Sequence, residues 1–247
     1  LASLLDLVGP NGYLLTNNHC VASQADVDKV TFKFNYESPN GDCSTGGIKD
    51  TDIAQTHEVE EGGEFIMTNK ELDFTLIKLT GNQSTQFGYV DLSTTKATID
   101  AKIFIPQHPS GRDKSIGIFD SNASDKACHV EKYYSDSFAY TCDTEGGSSG
   151  SPVIDLATMK AIGLHYAGQG SCNGNVAKFI DQIYPLVCQY VYGSCDGGAT
   201  TGCQDDTNWR DTDGWSCTDY KTQGICDDYG DWAVNGVSAN DACCDCK

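Results

Sequence analysis

Short apolar runs divided by turn residues dominate the first 194 residues of the chain. GYLLTN, KVTFKFNY, DFTLIKL, AKIFIPQ and KAIGLHYA are each long enough for one strand, and PNG, GGI, PSG and GQG lie between such runs. Many short strands joined by glycine-rich turns are typical of a β-sandwich or a β-barrel. The sequence therefore predicts an all-β domain over residues 1–194. Near its end, DQIYPLVCQYV predicts a helix that Pro185 breaks, because proline lacks the N–H that a helix interior uses.

The composition changes after residue 194. From Cys203 onward the chain holds six cysteines, many aspartates and few aliphatic residues. So little apolar material folds only when disulfides support it. We therefore predict a linker and a six-cysteine, disulfide-rich module over residues 195–247. For its tryptophans, Trp209, Trp215 and Trp232, we favour positions in the core of that module, and the alternative is an exposed aromatic binding face.

Net charge and cysteine content limit the environment of the protein. A net charge of −19 argues against a nucleic-acid partner, and thirteen cysteines indicate an oxidising compartment. No run of apolar residues is long enough to predict a membrane span. N-x-S acceptor sequences at Asn82 and Asn122 are compatible with a glycoprotein. We expect a secreted protein. No cofactor or metal is predicted, because the Cys and His spacings lack a zinc pattern and the aspartates fit a calcium loop poorly.

The strongest chemical signal is DTEGGSSGSPVID, residues 143–155. Glycines beside Ser149 allow a tight turn that aims backbone N–H groups at one point, as the stabilisation of an oxyanion requires. The amides of Gly147 and Ser149 are the candidate oxyanion hole. LLTNNHC supplies His19 at a strand end, and ELDFTLIKL supplies Asp73 just before another strand. A serine nucleophile needs a base and the base needs an orienting carboxylate, so His19, Asp73 and Ser149 are the predicted catalytic residues.

The order His, Asp, Ser along the chain, together with TNNHC, DFTLIKL and GGSSGSPV, resembles the trypsin-like serine peptidases. The nearest resemblance is to lysyl and glutamyl endopeptidases, and FNYESPNGDC, QHPSG and GLHYAG add lysyl endopeptidase-like segments. It covers residues 1 to about 185. The resemblance implies a double six-stranded antiparallel β-barrel of the chymotrypsin type and a protein or peptide substrate. It also implies that His19 is general base and then acid, that Asp73 holds its tautomer, and that Ser149 attacks the carbonyl.

The resemblance also indicates which residues bind P1, the substrate residue before the cleaved bond. Asp143, six residues before Ser149, matches the base of the primary pocket, where a buried carboxylate pairs with Lys or Arg. The alternative is an acidic P1, because Thr144 and His165 match residues that hold a glutamate side chain in glutamyl endopeptidases. Tyr166 to Gly168 are expected to bind the substrate backbone as an added strand.

We favour a basic P1. The segment SCNGNVAKF lacks the aspartate that lysyl endopeptidases carry there, which leaves Asp143 as the acidic candidate. The other geometry, in which Asp143 turns outward or caps its loop, stays open at this point.

Lysyl endopeptidases pair three N-terminal cysteines with the ones that match Cys20, Cys43 and Cys172. This resemblance leads us to expect that the first strand and these partners belong to a segment before Leu1 or to a separate chain that completes the fold. The other cysteines then form an even number.

Two local disulfides are expected, Cys128 with Cys142 and Cys188 with Cys195, while sequence leaves the rest of the connectivity open. The tail loosely resembles ShK-toxin-like modules, which implies a ligand of its own. A non-catalytic binding protein on a protease scaffold is the alternative function. An idle scaffold has no need of His19, Asp73 and Ser149 together, so we predict an active endopeptidase.

Overall fold

The computed structural model describes residues 6–37, 59–120, 123–168, 174–195, 209–223, 225–226, 233–234, 237–243 and 246. The chain divides into two compact units, Leu1–Gly197 and Gly198–Lys247.

The first unit is built from antiparallel strands, so the all-β prediction is confirmed. The strands are β1 (Asp6–Val8), β2 (Tyr13–Thr16), β3 (Thr31–Lys33), β4 (Val59–Glu61), β5 (Gly63–Asn69), β6 (Phe74–Leu79), β7 (Ile103–Gln107), β8 (Ser115–Gly117), β9 (Phe119–Asp120), β10 (Ala123–Ala127), β11 (Val130–Tyr133), β12 (Ser137–Tyr140), β13 (Pro152–Asp155), β14 (Ala161–Gly168) and β15 (Asn175–Phe179).

Two sheets carry the architecture of this unit. In the described part of the chain, the first sheet has four strands in the order β1-β2-β6-β5, and the second has seven in the order β11-β12-β15-β14-β13-β7-β8. β3 pairs with β4 and β9 pairs with β10. In the first sheet Thr16 lies opposite Thr75, so the end of β2 meets the beginning of β6. This register places the residues after β2 beside the residues before β6.

The central strands of the first sheet are buried on both faces, which explains their unbroken apolar runs. Leu14 packs in one apolar cluster with Ile77, whereas Leu15 packs in another with Phe74 and Leu76. The second sheet has its own core. Its buried members include Ile103, Ile105, Val130, Phe138, Tyr140, Val153, Ile162 and Phe179.

In the described part of this unit the α-helices are α1 (Gln24–Val27), α2 (Gln83–Phe87) and α3 (Ile180–Tyr192). The predicted break at Pro185 is wrong, because α3 runs through it. Ile183, Val187 and Val191 recur at helical spacing and are buried in the core of the first sheet, and this burial outweighs the loss of one backbone hydrogen bond. Among the helices in the described parts of the chain, none has the length and apolar character needed to cross a membrane.

Both local disulfides expected in the first unit are confirmed. Cys128 is bonded to Cys142, and Cys188 is bonded to Cys195. Cys43 and Cys172, whose disulfides were also expected, lie outside the described residues.

The second unit contains α4 (Cys217–Gln223), β16 (Ala233–Val234), β17 (Val237–Ser238) and α5 (Ala239–Ala242). Disulfides join Cys217 to Cys243 and Cys226 to Cys246. Trp209 is buried against Tyr220, as expected for a core residue. Trp215 is 40% exposed, so the favoured core position is wrong for this residue; its backbone N–H donates to Asp211 Oδ1 in a surface turn. Trp232 lies outside the described residues.

Candidate active site

His19 and Asp73 meet at the edge of the first sheet where β2 ends and β6 begins. His19 Nδ1 lies 2.7 Å from Asp73 Oδ2, and the backbone N–H of His19 donates to Asp73 Oδ1 at 2.9 Å. Each carboxylate oxygen therefore has its own partner on the same histidine. The His19 side chain is 47% exposed and that of Asp73 is 14% exposed. The ring is thus accessible to a substrate while its carboxylate partner is covered.

Asp73 has an unusual backbone conformation. Its φ is +46°, in the left-handed region that side chains other than glycine, asparagine and aspartate seldom adopt. The Asn17 side chain donates from Nδ2 to the Asp73 carbonyl at 2.9 Å, and Asn17 is fully buried. The neighbouring Asn18 donates instead to Thr68 Oγ1, on β5, at 2.7 Å. The two asparagines of TNNHC thus have different partners, and only the Asn17 amide contacts Asp73 directly.

Ser149 lies in a glycine-rich turn before β13. Gly147 has φ +95° and Gly150 has φ +91°. In these conformations the backbone of any residue with a Cβ would be strained. The N–H of Ser148 donates to the Glu145 carbonyl, and the N–H of Ser151 donates to the Ser148 carbonyl. Ser149 itself is half-buried. We call residues 143–151 the serine loop.

His165, on β14, is hydrogen-bonded through its backbone to the serine loop, and its side chain is close enough to His19 to feel its charge. Its carbonyl accepts from the Gly150 N–H, and its N–H donates to the Ser151 carbonyl, both at 2.9 Å. Burial lowers the pKa of His165 to about 4; a hydrogen bond to the Val176 backbone opposes this, and the nearby His19 lowers the pKa further. The imidazole is therefore neutral near pH 7. The Tyr140 hydroxyl lies 2.7 Å from His165 Nδ1, so a buried hydrogen bond fixes the ring.

The residues predicted to bind P1 are only partly brought together. Thr144 donates from Oγ1 to Asn175 Oδ1 at 2.7 Å, and Asn175 Nδ2 donates to the Cys142 carbonyl at 2.6 Å. Gly168 lies opposite Asn175 in the pairing of β14 with β15. Asp143 is exposed, so the expected burial of its carboxylate is not seen. Its backbone carbonyl accepts from Gln107 Nε2 at 2.8 Å.

Three supporting residues escaped the sequence analysis: Gln107, Ser148 and Asn175. Ser148 donates from Oγ to Gln107 Oε1 at 2.6 Å, and both residues are buried. The signals were present in QHPSG and GGSSGSPV, but a glutamine at the end of a strand has no reactive chemistry that would single it out. Within the residues that the structure describes, no three His, Cys, Asp or Glu side chains are grouped as a metal site would require.

Known families and structures identify the class. A family model described as lysyl endopeptidase, C-terminal domain, matches residues 9–184. The Glu endopeptidase solved in complex with MPD has a TM-score of 0.53 at 20% identity, covering 78% of this chain and 86% of that one. Deg5 has a TM-score of 0.50 at 16% identity, covering 76% and 83%. The fold is that of a trypsin-like serine protease of the chymotrypsin type. The chain belongs to the lysyl endopeptidase family.

Two curated proteins match about two thirds of this chain. Secreted RxLR effector protein 73 of Plasmopara viticola is 30% identical over 166 residues, which are 66% of this chain and 40% of that protein. Uncharacterized protein y4fB of Sinorhizobium fredii is 28% identical over 170 residues, 66% of this chain and 24% of that protein. The chain thus spans less than half the length of these curated relatives. The scabies mite inactivated protease paralogue S-I1 shares the fold, with a TM-score of 0.52 at 9% identity, covering 76% of this chain and 86% of that one.

Proposed function

We propose that the protein is a secreted serine endopeptidase that hydrolyses peptide bonds through His19, Asp73 and Ser149. The observation that carries this proposal is the two-point contact of Asp73 with His19, through the ring at 2.7 Å and through the backbone N–H at 2.9 Å. A carboxylate bound in this way leaves the opposite ring nitrogen, Nε2, as the proton acceptor. A scaffold used only for binding has no need of such an arrangement.

The chemistry assigns one role to each residue. His19 Nε2 takes the proton of the Ser149 hydroxyl as Oγ attacks the peptide carbonyl, and later returns it to the leaving amine. Asp73 holds the Nδ1–H tautomer and stabilises the imidazolium that forms. The amides of Gly147 and Ser149 donate to the oxyanion, and the left-handed conformation of Gly147 favours the turn that aims them.

For substrate choice we propose a basic P1 residue. A neutral His165 offers no positive charge to a P1 carboxylate, since burial lowers its pKa to about 4. Two carboxylates remain as candidate partners for Lys or Arg. Asp143 is exposed on the serine loop. Glu131 Oε2 lies 3.7 Å from the position that a Cβ on Gly174 would occupy, and Gly174 precedes Asn175, the partner of Thr144. The four disulfides among the described residues suit an oxidising compartment, in keeping with secretion.

A fluorophosphonate probe tests the catalytic proposal. The folded wild-type protein should be labelled at Ser149, and the label should disappear in Ser149→Ala. Ser135→Ala removes an exposed serine outside the serine loop and should leave labelling unchanged. Unlabelled wild-type protein would refute the peptidase and favour the binding-protein alternative.

Peptides that differ only at P1 test the specificity. We expect Lys and Arg peptides to be cleaved faster than Glu and Ala peptides. Asp143→Asn should reduce the preference for Lys over Ala by about fivefold, since an exposed carboxylate contributes roughly 1 kcal/mol. Glu131→Gln is the matched variant and identifies the partner if the preference falls there instead. Faster cleavage of Glu peptides by the wild type would establish the acidic alternative.

A further inference from the structure

The segment Gln107–Arg112, at the end of β7, contacts the serine loop at several points. Gln107 donates to the Asp143 carbonyl and accepts from Ser148, while Ser110 and Arg112 contact the stretch between those two residues. The outer contacts are Ser110 N–H to the Gly146 carbonyl at 2.6 Å, Ser110 Oγ to Glu145 Oε2 at 2.8 Å and an Arg112 ion pair to Glu145 Oε1 at 2.6 Å. This short segment thus contacts the serine loop at several residues between Asp143 and Ser148.

The inner contact is a buried clamp made by one side-chain amide. Gln107 Nε2 donates to the Asp143 carbonyl at 2.8 Å, and Gln107 Oε1 accepts from Ser148 Oγ at 2.6 Å. Gln107 is 5% exposed and Ser148 is fully buried. Breaking either hydrogen bond would leave a buried polar group without a partner, which costs free energy. Each end of the amide therefore holds its partner firmly. The clamp fixes the two ends of the stretch that contains Gly147.

The outer contacts are weaker supports. Arg112 and Glu145 are each 49% exposed, and an exposed ion pair contributes little because solvent and salt screen it. The Gln107 clamp and the Arg112 pair therefore provide a natural comparison. Both act on the serine loop, but only the first is buried and only the first reaches Ser148.

Ser148 stands between the two candidate oxyanion donors. The φ and ψ of Ser148 directly orient the peptide unit that carries the Ser149 N–H. The unit that carries the Gly147 N–H lies one residue further back and is joined to Ser148 through Gly147, whose φ is +95°. Oxyanion stabilisation is effective only if the donors are already oriented before charge develops. A residue that fixes Ser148 therefore acts on the reaction without touching the substrate.

We propose that Gln107 and Ser148 are positioning residues, which hold the oxyanion hole in its active geometry through the clamp between β7 and the serine loop. This proposal rests on the proposed peptidase function. It adds a specific task to Gln107, whose side chain has no reactive chemistry of its own. The clamp also explains why a buried serine precedes Ser149, because a hydroxyl is needed there to donate to Oε1.

Steady-state kinetics on the full chain tests the clamp, with active sites titrated by the fluorophosphonate probe. In Gln107→Ala we expect kcat per titrated site to fall roughly 10- to 100-fold with KM nearly unchanged, less than the 10²- to 10³-fold loss of an oxyanion donor itself. Gln107→Glu keeps the acceptor for Ser148 and loses the donor to Asp143, so its kcat should lie between the wild type and Gln107→Ala. Arg112→Ala should change kcat by about twofold or less.

The affinity for a peptide trifluoromethyl ketone distinguishes positioning of the oxyanion hole from a merely structural role. Its tetrahedral adduct uses the oxyanion hole, so its affinity should fall in Gln107→Ala and Ser148→Ala in parallel with kcat/KM. The affinity of a non-covalent product peptide should stay the same. If Gln107→Ala does not fold, Ser148→Ala and Gln107→Glu decide the question by the same two measurements.

The outcomes separate the two proposals. An active wild type with unchanged kcat per site in the folded clamp variants would overturn the clamp and leave the peptidase standing. A change in KM with kcat unchanged would also overturn it. So would a fall in kcat in Arg112→Ala as large as the fall in Gln107→Ala. A wild type that neither takes the probe nor cleaves peptides would overturn the peptidase function, and the clamp with it.

Discussion

The two halves of the candidate site are held in different ways. In the first sheet, Asp73 contacts His19 directly through both carboxylate oxygens. In the second sheet, Ser149 lies on a loop whose geometry depends on residues without reactive chemistry, chiefly Gln107 and Ser148. The first half is thus organised by the predicted catalytic residues themselves, and the second by the packing around one of them.

This difference follows from the task of each half. A proton acceptor needs a single ring in a single tautomer, which one carboxylate can fix. An oxyanion hole needs two peptide planes to point at the same place, and no single contact controls both. We therefore expect substitutions in the first half to act through proton transfer, and substitutions in the second to act through loop geometry or stability.

The largest expected effect is that of Asp73→Asn, with kcat reduced by about 10⁴-fold. The His19 N–H donates to one side-chain oxygen of residue 73, so an asparagine must keep its oxygen there and turn its NH₂ toward Nδ1. The ring would then carry its proton on Nε2 and lose its function as a base. Peptide hydrolysis by the variant measures this.

Asp28→Asn provides the control for that loss. Asp28 is exposed and accepts from Gln24 within α1, so activity should be unchanged. Activity of Asp73→Asn within about tenfold of the wild type would contradict the two-point contact as the organising feature of the first half.

His165 in the second half should produce a loss of stability on acidification. Its folded pKa of about 4 lies below the ordinary 6.5, so between these values the unfolded chain binds the proton that the folded protein excludes. The free energy of unfolding is therefore unaffected by His165 well above pH 6.5, and proton binding by the unfolded chain lowers it by about 3 kcal/mol as the pH drops to 4. Urea unfolding at a series of pH values measures the slope.

The slope, rather than the stability at one pH, is the diagnostic quantity. His165→Gln should give a shallower decline, although part should remain because burial also lowers the pKa of His108. His108→Gln should remove that smaller part. Equal slopes in the wild type and His165→Gln would show that the buried imidazole is not the source.

The smallest of these effects should come from Asn17→Ala, with kcat/KM reduced roughly tenfold. The variant loses the hydrogen bond that holds the Asp73 carbonyl while Asp73 is in its left-handed conformation. Stability should change little, because Asn17 Oδ1 has no hydrogen-bond partner among the described residues and its removal relieves a buried polar atom. Kinetics and thermal unfolding together measure the two quantities.

Asn18→Ala is the matched control for Asn17→Ala, since its amide contacts Thr68 and not Asp73. The His19 Nδ1–H resonance should move in Asn17→Ala and stay in place in Asn18→Ala. Equal losses of activity in both variants would mean that the turn as a whole, and not the Asp73 contact, is what matters.

Much of the fold was predictable because its strands have strong local signals. The two-sided burial of β2 and β6 matches unbroken apolar runs, and the pairs Cys128–Cys142 and Cys188–Cys195 were accessible from spacing and resemblance. The strand β5 was missed because its residues, GEFIMTN, combine a glycine, a charge and only half-buried apolar side chains. The break expected at Pro185 was wrong because burial along α3 is a tertiary effect.

By itself, the sequence determined the all-β class, the family and the reactive residue types, because periodicity and motif order are local properties of the chain. Tertiary structure alone decided that Asp73 contacts both the ring and the backbone of His19, that Asp143 is exposed, and that Gln107 holds Ser148. These contacts join residues far apart along the chain. Their energies depend on burial, which only the packed sheets provide.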